Sequence, residues 1–200
     1  MRPTVVIGYP GFGDIEVEKE ILRTIDADVI HTGATDTPEA REAVRNADAL
    51  MVTIQPVSNE LIASMQRCRI ISRVGTGLDA IDLESATKRG VWVTYVPDYS
   101  IDEVSAHAIM LLLAQARGLP TLLRKTQAGR WESGGVYVRR IQGQVLGLIG
   151  CGRIGLATAA KAQGLGLKVI GYDPYRRPAC GRWTCQRCCA SQTTFRSICR

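Results

Sequence analysis

Val145-Leu146-Gly147-Leu148-Ile149-Gly150-Cys151-Gly152-Arg153-Ile154-Gly155 is the stretch that decides how this chain folds. Val145 to Ile149 form a short apolar run of the kind that makes a buried parallel strand. G-x-G-x-x-G follows at once, from Gly150 to Gly155. Leu156 to Gly164 then reads as a helix, and Leu167 to Tyr172 as a second strand ending on Asp173. Strand, glycine turn, helix, and a strand closed by an acid make the βαβ unit that binds dinucleotides.

Each residue type in the motif has a physical task. Gly150 permits the tight turn out of the strand, Gly152 lets a pyrophosphate approach the backbone, and Gly155 lets the helix pack close to the sheet. The free N–H groups of the first helical turn, with the helix dipole, attract phosphate. Asp173 stands 18 residues beyond Gly155. A carboxylate there accepts hydrogen bonds from a ribose 2′-hydroxyl and repels a 2′-phosphate, which favours NAD over NADP. Arg176 and Arg177 lie close by and temper that preference, because arginine accommodates the extra phosphate.

Upstream of the motif the chain alternates strand and helix. Strands are expected at 4–7, 27–31, 49–54, 70–73 and 91–94, and helices at 14–24, from Thr37-Pro38-Glu39 onward, at 59–65 and at 81–89. Ile15, Ile21, Leu22 and Ile25 give the first helix an apolar stripe. Thr37 is placed as N-cap, with Pro38 at the first helical position. Repeated βα units imply a parallel sheet covered on both faces. After a break at Pro97, Ser100 to about Lys125 reads as one long helix. Ser100 and Glu103 are spaced as a capping box, and Gly118-Leu119-Pro120 is a point of bending or breakage. This helix is apolar on nearly every side from Ala106 to Ala116, the pattern of a large core or a subunit interface.

Composition narrows the function classes. The net charge is +6. Six of the 25 basic residues lie between Pro174 and Arg200, a segment without acid, which leaves 19 basic against 19 acidic residues in 1–173. The excess charge therefore belongs to the tail, and nucleic acid is not the expected partner. The densest apolar run, Ala108 to Ala114, is far short of a membrane span. With no signal-like apolar segment at Met1-Arg2-Pro3-Thr4, a cytoplasmic protein is expected. Cys68 and Cys151 read as reduced thiols. Cys180, Cys185, Cys188, Cys189 and Cys199 crowd the last residues at spacings that fit no structural zinc pattern, so no metal is expected.

Several ordered motifs carry a family resemblance. Arg73-Val74-Gly75-Thr76-Gly77-Leu78-Asp79-Ala80-Ile81-Asp82 resembles the substrate loop of the D-isomer-specific 2-hydroxyacid dehydrogenases. Gly90 to Thr94, Val96-Pro97 and Val104 to Arg117 resemble their crossover and long helix. Gly129-Arg130-Trp131, and Gly143-Gln144 leading into the glycine motif, extend the likeness over about 45–175, closest to phosphoglycerate dehydrogenase-like members. The resemblance implies an α/β protein: a flavodoxin-like parallel-sheet substrate domain at 1–97, then a Rossmann NAD-binding domain, incomplete here, at 98–178. It implies a 2-hydroxy or 2-oxo acid as substrate, NAD as cofactor, and a homodimer. By position, the backbone around Val74 and Gly75 would hold the substrate carboxylate, Thr76 would lie near the nicotinamide, Arg153 and Ile154 at the pyrophosphate, and Asp173 at the ribose.

The family's catalytic arginine, acid and histidine all follow the glycine motif. In this chain the two histidines, His31 and His107, both precede it. Ala106 stands where an acid often precedes the helix histidine. No catalytic residue is assigned. Residues 179–200 read as a Cys/Arg-rich tail of out-of-frame character after a C-terminal truncation. Three functions follow as expectations: a dehydrogenase by descent that is inactive as this chain, a non-catalytic NAD-binding regulatory module, and a non-functional fragment.

Overall fold

The structure, a computed structural model, describes residues 2–132 and 134–175. The expected tail, with Arg176, Arg177 and its five cysteines, lies outside the described residues. The chain divides into two compact units, Met1–Tyr99 and Ser100–Arg200.

In the first unit five strands build one parallel sheet: β1 (Thr4–Ile7), β2 (Asp28–His31), β3 (Ala49–Val52), β4 (Ile70–Arg73) and β5 (Trp92–Tyr95). Their order is β2-β1-β3-β4-β5, the flavodoxin-like doubly wound order. The register sets Val5 beside Ala49, Leu50 beside Ile71, and Ile71 beside Val93. The four helices are α1 (Glu16–Arg23), α2 (Pro38–Arg45), α3 (Asn59–Ser64) and α4 (Leu83–Lys88). Val6, Val44, Leu50, Val52, Ile62 and Ile71 are fully buried in one cluster. Each such side chain withdrawn from water contributes about 1.5–3 kcal/mol before entropy is counted.

Local signals start the helices where they are needed. Thr37 accepts from the Ala40 N–H at 3.1 Å, Ser58 from Leu61 at 3.3 Å, and Asp82 from Ser85 at 2.9 Å. That backbone hydrogen bond is the first reason the Asp82 carboxyl sits below its usual range. Asp48 ties β3 to β1 by accepting the Thr4 N–H at 2.8 Å, and its other partner is Arg67 at 2.9 Å. The Thr4 hydrogen bond chiefly, then Arg67, holds the Asp48 carboxyl low.

The apolar stripe read at α1 divides in the structure: Ile15 and Leu22 pack inward, and Ile21 and Ile25 remain 62% and 58% exposed. The Ser100 capping box does not form. Ser100 stands at φ −108°, ψ 10°, outside the extended backbone that aims a capping side chain at the helix, and makes no such bond. The long apolar segment is two helices, α5 (Ile101–Ala116) and α6 (Leu119–Gln127). Gly118, at φ +65°, makes the break in a conformation that suits glycine.

In the second unit β6 (Val145–Ile149), α7 (Arg153–Gly164) and β7 (Lys168–Tyr172) form the βαβ unit read from the sequence, with β6 and β7 parallel. α7 packs on α5 around Ile109, Leu112, Leu146, Leu148 and Ala162. Lys161 fixes their register by donating to Asp102 at 3.0 Å and to the buried Ser105 hydroxyl at 2.8 Å. Among the described residues no single helix is long and apolar enough to cross a membrane.

Candidate dinucleotide and carboxylate sites

The first-unit site is the turn that leaves β4. Val74 donates its N–H to Val52 O at 2.8 Å, which holds the turn against β3, and Gly75 O accepts from Val96 at 3.0 Å. Gly75 has φ +152°. A Cβ there would lie 1.3 Å from Arg73 Nη1, so the glycine makes room for the arginine two residues earlier. Arg73 curls back over its own turn, donates from Nη1 to Val74 O at 3.3 Å, and buries Nε without a hydrogen-bond partner. A buried donor left unmatched calls for a partner.

This alters how the turn would hold a carboxylate. The Val74 and Gly75 N–H groups are already engaged, with Val52 O and with Arg73 O at 3.0 Å. The N–H groups of Thr76 and Gly77 have no partner among the described residues. Arg73 supplies the charge. It stands inside the quoted motif, but no linear pattern shows that its side chain folds back over the next two residues.

In the second unit the glycine turn has the geometry that a pyrophosphate requires. Gly150, at φ +96°, donates to Tyr172 O at 2.8 Å and turns the chain out of β6. A Cβ on Gly155 would lie 2.2 Å from Gly150 O, so α7 reaches the strand only because that atom is absent. Gly152 is the N-cap of α7, and a Cβ there would meet nothing within 4 Å. α7 has no side-chain cap and no acid in its first turn. A helix N-terminus of this kind suits an anion. Arg153 is the first helical residue and is exposed, and Ile154 is half-buried.

Asp173 closes the arrangement. One carboxylate oxygen accepts the Cys151 N–H at 2.8 Å, the other the Tyr175 N–H at 2.9 Å. The acid is thus fixed between the end of β7 and the glycine turn. These residues fit NAD: a glycine turn and helix N-terminus for phosphate and an oriented carboxylate for ribose.

The description "D-isomer specific 2-hydroxyacid dehydrogenase, catalytic domain" matches residues 12–197. The chain belongs to this family. The matched range extends beyond the 45–175 over which the motifs resembled the 2-hydroxyacid dehydrogenases. The D-3-phosphoglycerate dehydrogenase of Methanocaldococcus jannaschii is 34% identical over 157 residues, which are 78% of this chain and 30% of that protein. The glyoxylate reductase of Thermococcus kodakarensis is 34% identical over 196 residues, 89% of this chain and 56% of that protein. The D-lactate dehydrogenase of Aquifex aeolicus, solved with NAD and lactic acid, superposes with a TM-score of 0.76 at 25% identity, covering 87% of this chain and 52% of that one. The chain thus spans less than two thirds of the length of these 2-hydroxyacid dehydrogenases.

The two histidines hold no acid/base arrangement among the described residues. His31 Nε2 lies 2.8 Å from Tyr9 O, and His107 is exposed on α5. Neither belongs to the β4 turn or to the glycine turn.

Proposed function

We propose that the second unit binds NAD and that the β4 turn of the first binds the carboxylate of a 2-hydroxy or 2-oxo acid, the two ligands of a hydride-transferring dehydrogenase. The observation that carries this reading is the glycine turn into α7, which Gly155 lets close onto Gly150 O, with Asp173 bound to the Cys151 N–H. Gly150, Gly152 and Gly155 shape the cradle, Arg153 and Ile154 flank the pyrophosphate, and Asp173 accepts the ribose hydroxyls. Thr76 adds its N–H group to the substrate turn. When bound, NAD supplies hydride transfer to or from the carbon bearing the hydroxyl.

The residues of the chain provide binding and orientation. At the β4 turn the Arg73 guanidinium, with the Thr76 and Gly77 N–H groups, pairs with the acid's carboxylate through charge-assisted hydrogen bonds. Removing the hydroxyl proton needs a general base. Neither histidine stands at either turn, so the reading is ligand binding without turnover by the described residues. Exposed Val104, Met110 and Leu111 on α5 give a second copy of the chain an apolar face to cover.

NADH fluorescence titration of the full chain tests the proposal. NADH is expected to bind more tightly than NADPH. Asp173→Asn should weaken NADH about tenfold, the loss of one charged hydrogen bond, and narrow the preference over NADPH. Absence of saturable NADH binding overturns the cofactor reading. NADH-dependent reduction of any 2-oxo acid overturns the claim of binding without turnover.

A further inference from the structure

The balanced charge of residues 1–173 hides a local imbalance. Between Arg117 and Arg140 there are six basic residues, Arg117, Arg124, Lys125, Arg130, Arg139 and Arg140, and a single acid, Glu132. Glu132 lies 4.0 Å from Lys125. The arginines of this stretch have no ion-pair partner among the described residues.

Two of those arginines line one cavity. It measures about 490 Å³ and lies where α5 ends, α6 begins and the 135–139 segment folds back over the break. Gln115, Thr121 and Tyr137 share the lining, and none of the described lining residues is acidic. The wall is held in place. Arg139 donates its N–H to Ala116 O at 2.9 Å, and its own carbonyl accepts from Arg117 at 3.3 Å. Val136 packs so close to Gly118 that a Cβ on that glycine would lie 2.6 Å away. The Arg139 guanidinium rests 5.0 Å from the Tyr137 ring centre, which uses its face and leaves its N–H edge for a ligand. Among the described residues the Arg124 side chain makes one hydrogen bond, to the Thr121 hydroxyl at 3.5 Å. The volume is that of a small-molecule site. The cavity shares no residue with the glycine turn of α7.

The geometry points to a second anion site, separate from the dinucleotide cradle, that takes a small phosphate-bearing molecule between Arg124 and Arg139. Guanidinium forks match phosphate oxygens in geometry as well as charge. Thr121 and Gln115 add neutral donors.

Calorimetric titration of the full chain with inorganic pyrophosphate, with and without NADH, tests this. Saturable binding that persists in the presence of NADH is expected. Arg124→Gln should weaken it about tenfold, and adding Arg139→Gln should weaken it further, while NADH binding stays unchanged. Arg124 is exposed and makes one weak hydrogen bond among the described residues, so its replacement leaves the fold intact even if the Arg139 variant does not fold. Three results overturn the proposal: no saturable pyrophosphate binding, binding that Arg124→Gln leaves unchanged, or binding that NADH displaces. NADH binding itself is read by fluorescence, so failure of the dinucleotide proposal is seen separately.

Discussion

Gly75-Thr76-Gly77 and Gly150-Cys151-Gly152 are the same pattern in the same place, a G-x-G turn leaving a parallel strand, yet the two turns solve different problems. At the first, the glycine yields space to a side chain: Arg73 occupies the position of the missing Cβ. At the second, the space at Gly155 goes to the backbone of Gly150, and Gly152 faces open space. One turn therefore brings its own cation, and the other offers the N-terminus of α7 and its dipole. A guanidinium beside a turn suits a carboxylate. An open helix N-terminus suits the diffuse charge of a pyrophosphate.

The largest break in that comparison comes from Gly155. Its Cβ would meet a carbonyl oxygen, which belongs to the backbone and cannot swing aside. Gly155→Ala should cost about 3 kcal/mol, near the upper end for overpacking. It should also abolish NADH binding, as thermal unfolding and fluorescence titration would show. A variant as stable as the parent would mean that α7 does not need its close approach to β6.

Gly75→Ala comes next. Its Cβ meets the end of a flexible side chain rather than backbone, so Arg73 can move, at the price of its bond to Val74 O. What remains is the strain of a side chain at φ +152°, of order 1–3 kcal/mol. A double-mutant cycle with Arg73→Met separates the two terms. Gly75→Ala should be milder by about 1 kcal/mol when Arg73 is already gone, because the clash is removed and the strain is not. Simple additivity would show that Arg73 does not occupy the turn.

Gly152→Ala sharpens the contrast from the other side. Among the described residues nothing lies within 4 Å of the added methyl, and φ −73° suits alanine. Stability should stay within about 0.5 kcal/mol, while NADH affinity falls about tenfold as the methyl meets the pyrophosphate. Equal affinity for both proteins would place the phosphates elsewhere.

How much of this was legible in the sequence depends on what each feature needs. The β6-α7-β7 unit was legible because its glycines, helix and closing acid each follow from local chemistry. So were the cap at Thr37 and the alternation of the first unit, since parallel strands buried on both faces read as short apolar runs. Ile21 and Ile25 were not, because periodicity shows that a helix has an apolar side without showing what covers it. The failure at Ser100 has the same character: spacing proposes a cap, but backbone dihedral angles decide whether the side chain reaches. Arg73 was the largest omission at the candidate site. The quoted motif contained it, but a side chain folding back over its own turn leaves no periodic trace.

The smallest expected effect separates the units by pH. In the first unit the folded-state pKa of Asp48 is lowered from its ordinary value of 3.8, first by the Thr4 N–H and then by Arg67. In that window the unfolded chain binds the proton more readily than the folded one, so stability rises with pH. The contribution is complete above the ordinary value and is lost as pH falls through the lowered one. Asp48→Asn should therefore reduce first-unit stability at neutral pH and flatten its decline in acid. Hydrogen exchange at Val5 and Val6, compared with Leu146 and Leu148 over an acid series, reads the two sheets separately. Protection at β1 should fall in acid in the parent chain and fall less steeply in the Asp48 variant. An unchanged acid profile at β1 would mean that the Asp48 hydrogen bond does not hold the first sheet together.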